Sequence, residues 1–459
     1  MKPLSICENC LEKQRTIDRL TEENKSLKDQ LRYRQRRAED GPFGSSTPSS
    51  KIPVKANSPE EQRRRRGGAK EGHVGHGRSS VDASSANRIE QVDVAAMCPE
   101  CGSALEDKGY QDRSVIESRP IRAERILYRL EKKYCPRCRK TIQAQAPGIL
   151  PKSLYGNQLI TQTVFWHYLH GIPIGRVCEQ AGIGLGTVIE IFHRMATMFR
   201  GVVPKLIEEY RQSPVRHADE TGWRTDGRSG YAWLFSTPSL SIFLFRSTRS
   251  SSVPKEVLGQ KTLSGVLVVD RYNAYNRAPC ALQYCFAHLL RELEDLAKEV
   301  PDHSEITAFT ATMIPLLSQA MHLHSQLISD SQYYEQACQI QEKIKEAIQA
   351  PAQHFGIRRI QDIFSEKAHR LYHWVTDRNV PADNNRAERE LRPTVIARKV
   401  SFGSQSDAGA KTREILMTLV QTLKKRLDDP QANFKSVLDK QAADPTLTPL
   451  NLLFPLDSS

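Results

Sequence analysis

Nowhere in this 459-residue chain do about eighteen apolar residues run together, which excludes an ordinary membrane-spanning helix. The start, MKPLSICENCLEKQ, lacks the basic stretch followed by an apolar run that a secretory leader needs, so the expected compartment is reducing. The ten cysteines are therefore expected as thiols or metal ligands rather than disulfides. An acidic excess is also missing: 66 Lys and Arg against 53 Asp and Glu leave a net charge of +13, which favours a polyanionic partner without naming one. Apolar residues at 39% are ordinary for a soluble protein, and the length predicts two to four domains at ~100 to 200 residues each.

The first 38 residues place Ile17, Leu20, Leu27 and Leu31 at alternating a and d positions of a heptad, with Asn24 at an a position. A buried a-position Asn fixes register in a parallel two-stranded coil, so this segment predicts dimerisation; the alternative is a solitary amphipathic helix. From 39 to about 90 the chain is rich in Ser, Pro, Gly and Arg without apolar periodicity, the composition of a disordered linker. Arg63, Arg64, Arg65 and Arg66 within it read either as a flexible cationic arm for phosphates or as a solvated run.

Two CxxC pairs, Cys98 with Cys101 and Cys135 with Cys138, stand 33 residues apart. Each pair can grip one edge of a tetrahedral zinc ion, and four thiolates close its coordination shell. The predicted zinc ribbon, residues 91–148, is thus structural, its Zn2+ stabilising a unit that lacks a core. Cys7 and Cys10 could complete a site only with thiolates borrowed from a dimer partner.

Residues 149–212 read as helices: NQLITQTVFWHYLH, PIGRVCEQAG, a break at GIGLG, then TVIEIFHRMATMFR with Thr187 as the expected N-cap. Helix, short turn and helix make a helix-turn-helix-like unit, although TVIEIFHRM offers few side chains that read base edges. DNA binding and a scaffold role both remain open for it on this pattern alone.

Beyond residue 213 the pattern changes to short strands, VRHADETGWR, YAWLFST, SIFLFRS and GVLVVDRYNAY, which predict an α/β sheet. Asp219 follows the first strand and Asp270 closes the apolar GVLVVD, so its carboxylate should emerge at a strand end. A third acid, Glu388, lies in PADNNRAERELRP on a helix starting near Asn384 or Asn385, with Glu390 on a different face. Three gathered carboxylates repel unless a cation sits among them, and hard oxygen ligands suit Mg2+ or Mn2+. Two such ions ~3.5 to 4 Å apart support in-line phosphodiester displacement, the chemistry of nucleases and strand transfer. Arg386, Arg389, Arg392, Arg398 and Lys399 surround the third acid as phosphate contacts or as an exposed helix face. Trp223 and Trp233 read as sheet packing, with base stacking as the alternative.

The CPxCG and CPxC pairs, GIPIGRVCEQ, HADETGWR, VVDRYNAY, CFAHLLREL and DNNRAERELRP, followed by RKVSFGS and SDAGAKT, occur in an order that resembles the transposases of the bacterial insertion sequence 66 family. The resemblance runs from the basic linker to about residue 430, and DNNRAERELRP is its most specific element. It implies a multidomain α+β protein whose RNase H-like α/β catalytic core, residues 213–425, carries Asp219, Asp270 and Glu388 as a DDE triad. Glu390 is disfavoured there because the family motif has a small residue at that place. The 117 residues between Asp270 and Glu388 imply a helical insertion at about 300–375, and 426–459 is expected as a tail. Cys285 and His288 resemble the C-x-x-H pair that several DDE families place after the second acid, either ordering the site or ligating metal.

Further implications are end binding by the helical unit, double-stranded DNA as partner, a homodimer or higher oligomer, accessory proteins, and a bacterial, nucleoid-associated cytoplasmic location. A DNA-binding regulator without catalysis, and a metal-dependent nuclease that does not join strands, are the two rival readings.

Overall fold

The computed structural model describes residues 123–454 except Cys138, together with helical positions between residues 12 and 31 and the isolated residues 84, 89 and 104. Val54–Arg122 separates from the rest as its own unit. The expectations for Cys7, Cys10, Arg63 to Arg66, Cys98, Cys101, Cys138 and most of the linker lie outside the described residues. Near the N-terminus, Ile17, Leu20, Leu27 and Leu31 lie on helix and are each more than half exposed in the single chain. No helix of the described residues is long and apolar enough to cross a membrane.

The first described strands, β1 (Lys132–Cys135) and β2 (Lys140–Gln143), form an antiparallel hairpin whose register pairs Cys135 with Lys140. Pro136, Arg137 and Arg139 thus lie in its turn, and Arg139 there has a positive φ of 50°. Four helices follow: α1 (Asn157–Tyr168), α2 (Ile174–Ala181), α3 (Leu185–Met198) and α4 (Val202–Gln212). Gly182, left-handed at φ 64°, caps α2, and Gly184 caps α3. Thr187 is therefore not the N-cap but a residue inside α3, because the two glycines confine the break to the shortest connection. Nor do these helices stand apart at residue 212. Val188, Ile191, Phe192 and Met195 face inward and join one continuous core with the sheet, and His193 Nδ1 lies 2.6 Å from Thr412 Oγ1.

The sheet is built from β3 (Val215–Thr225), β4 (Arg228–Ser236), β5 (Ser241–Arg246), β6 (Val266–Val269) and β7 (Ala281–Tyr284) in the order β5-β4-β3-β6-β7. The first three pair antiparallel through short connections, whereas β6 and β7 run parallel to β3. A parallel return needs a crossover, and α5 (Ser252–Leu258) lies in the one between β5 and β6. VLVV at β6 and SIFLF at β5 are almost wholly buried, as strands covered on both faces must be.

After β7 come α6 (Phe286–Glu299), α7 (Ser304–Leu323), α8 (Asp330–Gln349), α9 (Phe355–Glu366) and the short α10 (His373–Thr376). Helices α7 to α10 fill the interval where a helical insertion is expected, packing through Met313, Leu317, Tyr333, Ala337 and Ile344. Then α11 (Asn385–Ser401) lies against β3 and β4, and α12 (Asp407–Arg426) packs on β5, α3 and α4. Residues 426–459 are not simply a tail. They carry α13 (Pro430–Ala443) and α14 (Pro449–Leu453), and Phe434 sits 5.7 Å from Phe165 and 5.3 Å from Phe199 between ring centroids. Phe434, Val437, Leu438 and Ala442 fall on one helical face, which gives that segment something to bury.

Candidate active site

Strand register brings the first two acids together. His217 pairs with Val268 across the parallel β3–β6 ladder, so Asp219 and Asp270, each two residues further on, reach the same level and the same face of neighbouring strands. Parallel strands lie ~4.8 Å apart, which leaves the two carboxyls side by side. Each is fixed by a backbone amide: Glu220 N donates to Asp219 Oδ1 at 2.8 Å, and Tyr272 N to Asp270 Oδ1 at 2.9 Å. Both aspartates are half-buried.

Glu388 arrives from the first turn of α11, and Arg291 Nη2 holds its Oε1 at 3.0 Å. Asp219 senses the other two acids. Burial pushes the Asp219 carboxyl well above its usual range, and the charges of Glu220, Asp270 and Glu388 push it further. Asp270 is pushed up to about 7, first by burial and then by Glu220, with Arg249 and Arg271 pulling the other way. Such a site holds protons where carboxylates normally have none, and a divalent cation would relieve the same repulsion. The donors are hard oxygens, which fits Mg2+ or Mn2+.

Another group is tighter. Cys285, His288 and Glu388 are the described side chains whose ligand atoms all lie within 4.8 Å of one another; the two aspartates with Glu388 do not form such a trio. Burial, followed by the Glu388 charge, pushes the Cys285 thiol up to about 12, and burial holds the His288 imidazole down at about 3. A protonated thiol and a neutral imidazole fit a structural junction as well as a metal site. Cys285 Sγ already accepts a hydrogen bond from Asn384 N at 3.1 Å.

Asn384 ties the acid-bearing elements together. It is 2% exposed; its Nδ2 donates to Ala218 O on β3 at 2.8 Å and its Oδ1 lies 3.0 Å from His217 Nδ1. Cys285, in turn, donates its backbone N–H to Val269 O, next to Asp270, at 2.8 Å. One buried asparagine therefore links β3, the end of β6 and the start of α11.

Glu390, two residues past Glu388, is committed elsewhere. Lys425 Nζ at 2.7 Å and Ser241 Oγ at 3.0 Å hold it against α12 and β5. Glu220, which the sequence pattern did not single out, is buried and held by Arg249 at 2.7 Å and Tyr275 Oη at 2.5 Å. Its position beside Asp219 in HADET was the only available signal. His217, Arg249, Arg291 and Asn384 were likewise missed, because each acts through a partner distant in sequence.

Arg392 and Lys399 are exposed on α11. Arg398 is instead drawn inward, its Nη1 donating to Thr221 Oγ1 at 3.1 Å and to Gly222 O, so it braces α11 on β3. Trp223 and Trp233 are 2% and 0% exposed, and their indole N–H groups bond Ser404 and Thr248. Neither can stack on a base where it stands. The outward face of α3 offers Leu185, Ile189 and Glu190, which donate no hydrogen bond to a base edge, and Thr197, whose hydroxyl already donates to His193 O at 2.9 Å.

Comparison with known proteins places these residues in a family context. The family model described as "Transposase IS66 family" matches residues 152–412, a span that includes every acid, cysteine, histidine and arginine of the site described above. The chain is 23% identical over 397 residues to "Uncharacterized protein y4qI" of Sinorhizobium fredii (strain NBRC 101917 / NGR234), covering 76% of this chain and 71% of that protein. It is 24% identical over 421 residues to "Uncharacterized protein y4jD" of the same organism, covering 80% and 78%.

Proposed function

The chain belongs to the transposase IS66 family, and on that premise we propose that it is a DDE-type DNA transposase acting at Asp219, Asp270 and Glu388. The observation that carries the reading is the convergence of the other two acids on Asp219, whose carboxyl is raised by the charges of both Asp270 and Glu388 although 117 residues separate those two in the chain. Further support comes from strand order. Three antiparallel strands followed by two parallel ones, with Asp219 inside β3 rather than after it, Asp270 just past the end of β6 and Glu388 on a late helix, are the order an RNase H-like core would have.

The residues divide the work. Asp219, from within β3, and Asp270, just past the end of β6, present adjacent oxygens, and Glu388 closes the third side. Magnesium or manganese held there would supply Lewis-acid stabilisation of the scissile phosphate and of the attacking and leaving oxygens. Arg291 orients Glu388, and Arg249, 30% exposed in its side chain, tempers the charge around Asp270 while it holds Glu220. Water as nucleophile frees a 3′-hydroxyl, and that hydroxyl can then attack target DNA at the same site, so no covalent protein intermediate and no catalytic Ser or Tyr is required.

Arg392 and Lys399 on the exposed side of α11 are suited to contact DNA phosphates, whereas Arg398 supports the fold. Arg176 and Gln180, exposed on α2, are the polar side chains through which the helical unit would contact the element's ends. A structural Zn2+ at the paired CxxC motifs and a coiled-coil dimer complete the proposed assembly.

Incubation of the full-length protein with candidate terminal repeats and Mg2+, scoring nicking and joining separately, tests the reading. Nicks with 3′-hydroxyl ends that become joined to a second duplex are expected. Nicking without joining would leave a nuclease, and specific binding without either would leave a regulator.

A further inference from the structure

Phe402 occupies a conformation that a bulky L-residue rarely adopts. It ends α11 with φ 59° and ψ 1°, in the left-handed region, and the residue is 76% exposed. The surrounding backbone enforces this. Phe402 N bonds Arg398 O at 2.9 Å, and Ser404 N bonds Arg224 O at 2.9 Å. Asp226 N then bonds Ser404 O at 2.9 Å, tying the segment to the β3–β4 turn. Gly403, at φ 131°, sits so close that a Cβ there would come within 2.2 Å of Arg224 O. The chain thus holds an aromatic ring in water at the cost of backbone strain, a combination found where the protruding side chain has a task.

The ring stands at the end of a mixed stripe. Arg389, Arg392, Ile396 and Lys399 recur every three or four residues, with Val400 four beyond Ile396, on the exposed face of α11, opposite the buried Ala387, Leu391 and Thr394. Ile396 is 54% exposed and Val400 44%; Arg392 and Lys399 flank Ile396, and Val400 lies between Lys399 and Phe402. Cations alternating with apolar contacts complement a nucleic-acid strand, whose phosphates are anionic and whose bases are apolar. Glu388 lies at the other end of the helix. Fourteen residues at 1.5 Å each put Phe402 about 21 Å away along α11. At ~3.4 Å per nucleotide that is about six nucleotides from a bond held at the acids.

Resting on the reading of this site as a DNA-processing one, we propose that Phe402 is a base-stacking residue: DNA leaving the acids runs along α11 over Arg392 and Lys399, and Phe402 stacks on an unpaired base. The role that the sequence offered to Trp223 and Trp233, both buried, passes to this exposed ring.

The probe is a fluorescein-labelled DNA duplex ending in a single-stranded fork, its binding to the full-length protein followed by anisotropy over a range of salt concentrations. Phe402→Ala should weaken binding about ten-fold, within the range that alanine substitution gives for one stacked base, while Phe402→Trp keeps it. Stacking releases no counterions, so the salt slope should be unchanged in Phe402→Ala but shallower by just under one in Arg392→Gln. Phe402→Gly separates fold from function: glycine accepts the left-handed backbone, so its Tm should rise while binding falls. If Phe402→Ala binds like wild type while Arg392→Gln loses slope, stacking is wrong and the DNA reading stands. A loss accompanied by a smaller oligomer in light scattering would give the face to a second copy and overturn the proposal. If wild type binds no fork at all, both readings fall together.

Discussion

Glu388 and Glu390 differ by two positions and by everything that surrounds them. The first faces Asp219, Cys285 and His288, and the second is held by Lys425 and Ser241. Glu388→Gln is therefore expected to abolish Mg2+-dependent nicking with little change in stability. Glu390→Gln should retain nicking and lose up to about 2 kcal/mol in urea unfolding, because it weakens a charge-assisted contact. Histidines supply a separate test. His167, His217 and His288 are held down at about 3, 4 and 3, in each case chiefly by burial. Folded, they stay neutral where the unfolded chain takes up protons near pH 6.5. The stability they contribute is thus complete above pH 6.5 and lost as pH falls toward 3 to 4, at ~1.4 kcal/mol per pH unit for each histidine. Between pH 7.5 and 5 the unfolding midpoint of His167→Gln should therefore fall less with acidification than that of wild type, by one proton's worth. Asp270 has the opposite sign. With a folded pKa of about 7 against 3.8, its repulsion develops as pH rises between those values, so Asp270→Asn should be more stable than wild type at pH 8 without divalent ions and alike at pH 4.

Among the elements, the strands were the most legible. YAWLFST, SIFLFRS and GVLVVD each hold a buried β-branched or aromatic run of strand length, and each is a strand. The helical insertion was readable for the same reason, since period and length favour helix over strand in α7 and α8. Capping and junctions were not. Thr187 offered the better capping side chain, but the left-handed Gly182 set where α2 ends and α3 begins. The ordering of α11 depends on Asn384, whose partners lie 99 to 167 residues away, a separation that no local pattern encodes. Asn384→Ala would leave Ala218 O and His217 Nδ1 without their partner, and a loss of ~2 to 4 kcal/mol is expected. Because the same bonds register Glu388 against Asp219, nicking by this variant should also require more Mg2+, which metal titration of the initial rate would read out.

At the scale of the molecule, one continuous core joins helices α1 to α4, the sheet and α13, so the helical unit and the supposed tail are built into the acid-bearing body. Sequence composition could not reveal this, since a short amphipathic helix has the same pattern whether it packs on its own domain or on a neighbour. The heptad stripe is different, because Ile17, Leu20, Leu27 and Leu31 remain exposed on the single chain and a second copy would bury them. A Leu20→Glu, Leu27→Glu variant is accordingly expected to halve the mass seen by light scattering while the core's unfolding transition stays in place. The acids nevertheless carry the central claim, and one measurement bears on it most directly: Mg2+-dependent nicking of terminal-repeat DNA by Asp219→Asn, Asp270→Asn and Glu388→Gln, alongside binding of the same DNA. The account predicts that all three bind as wild type does and none nicks. Nicking at the wild-type rate by any one of them would contradict it.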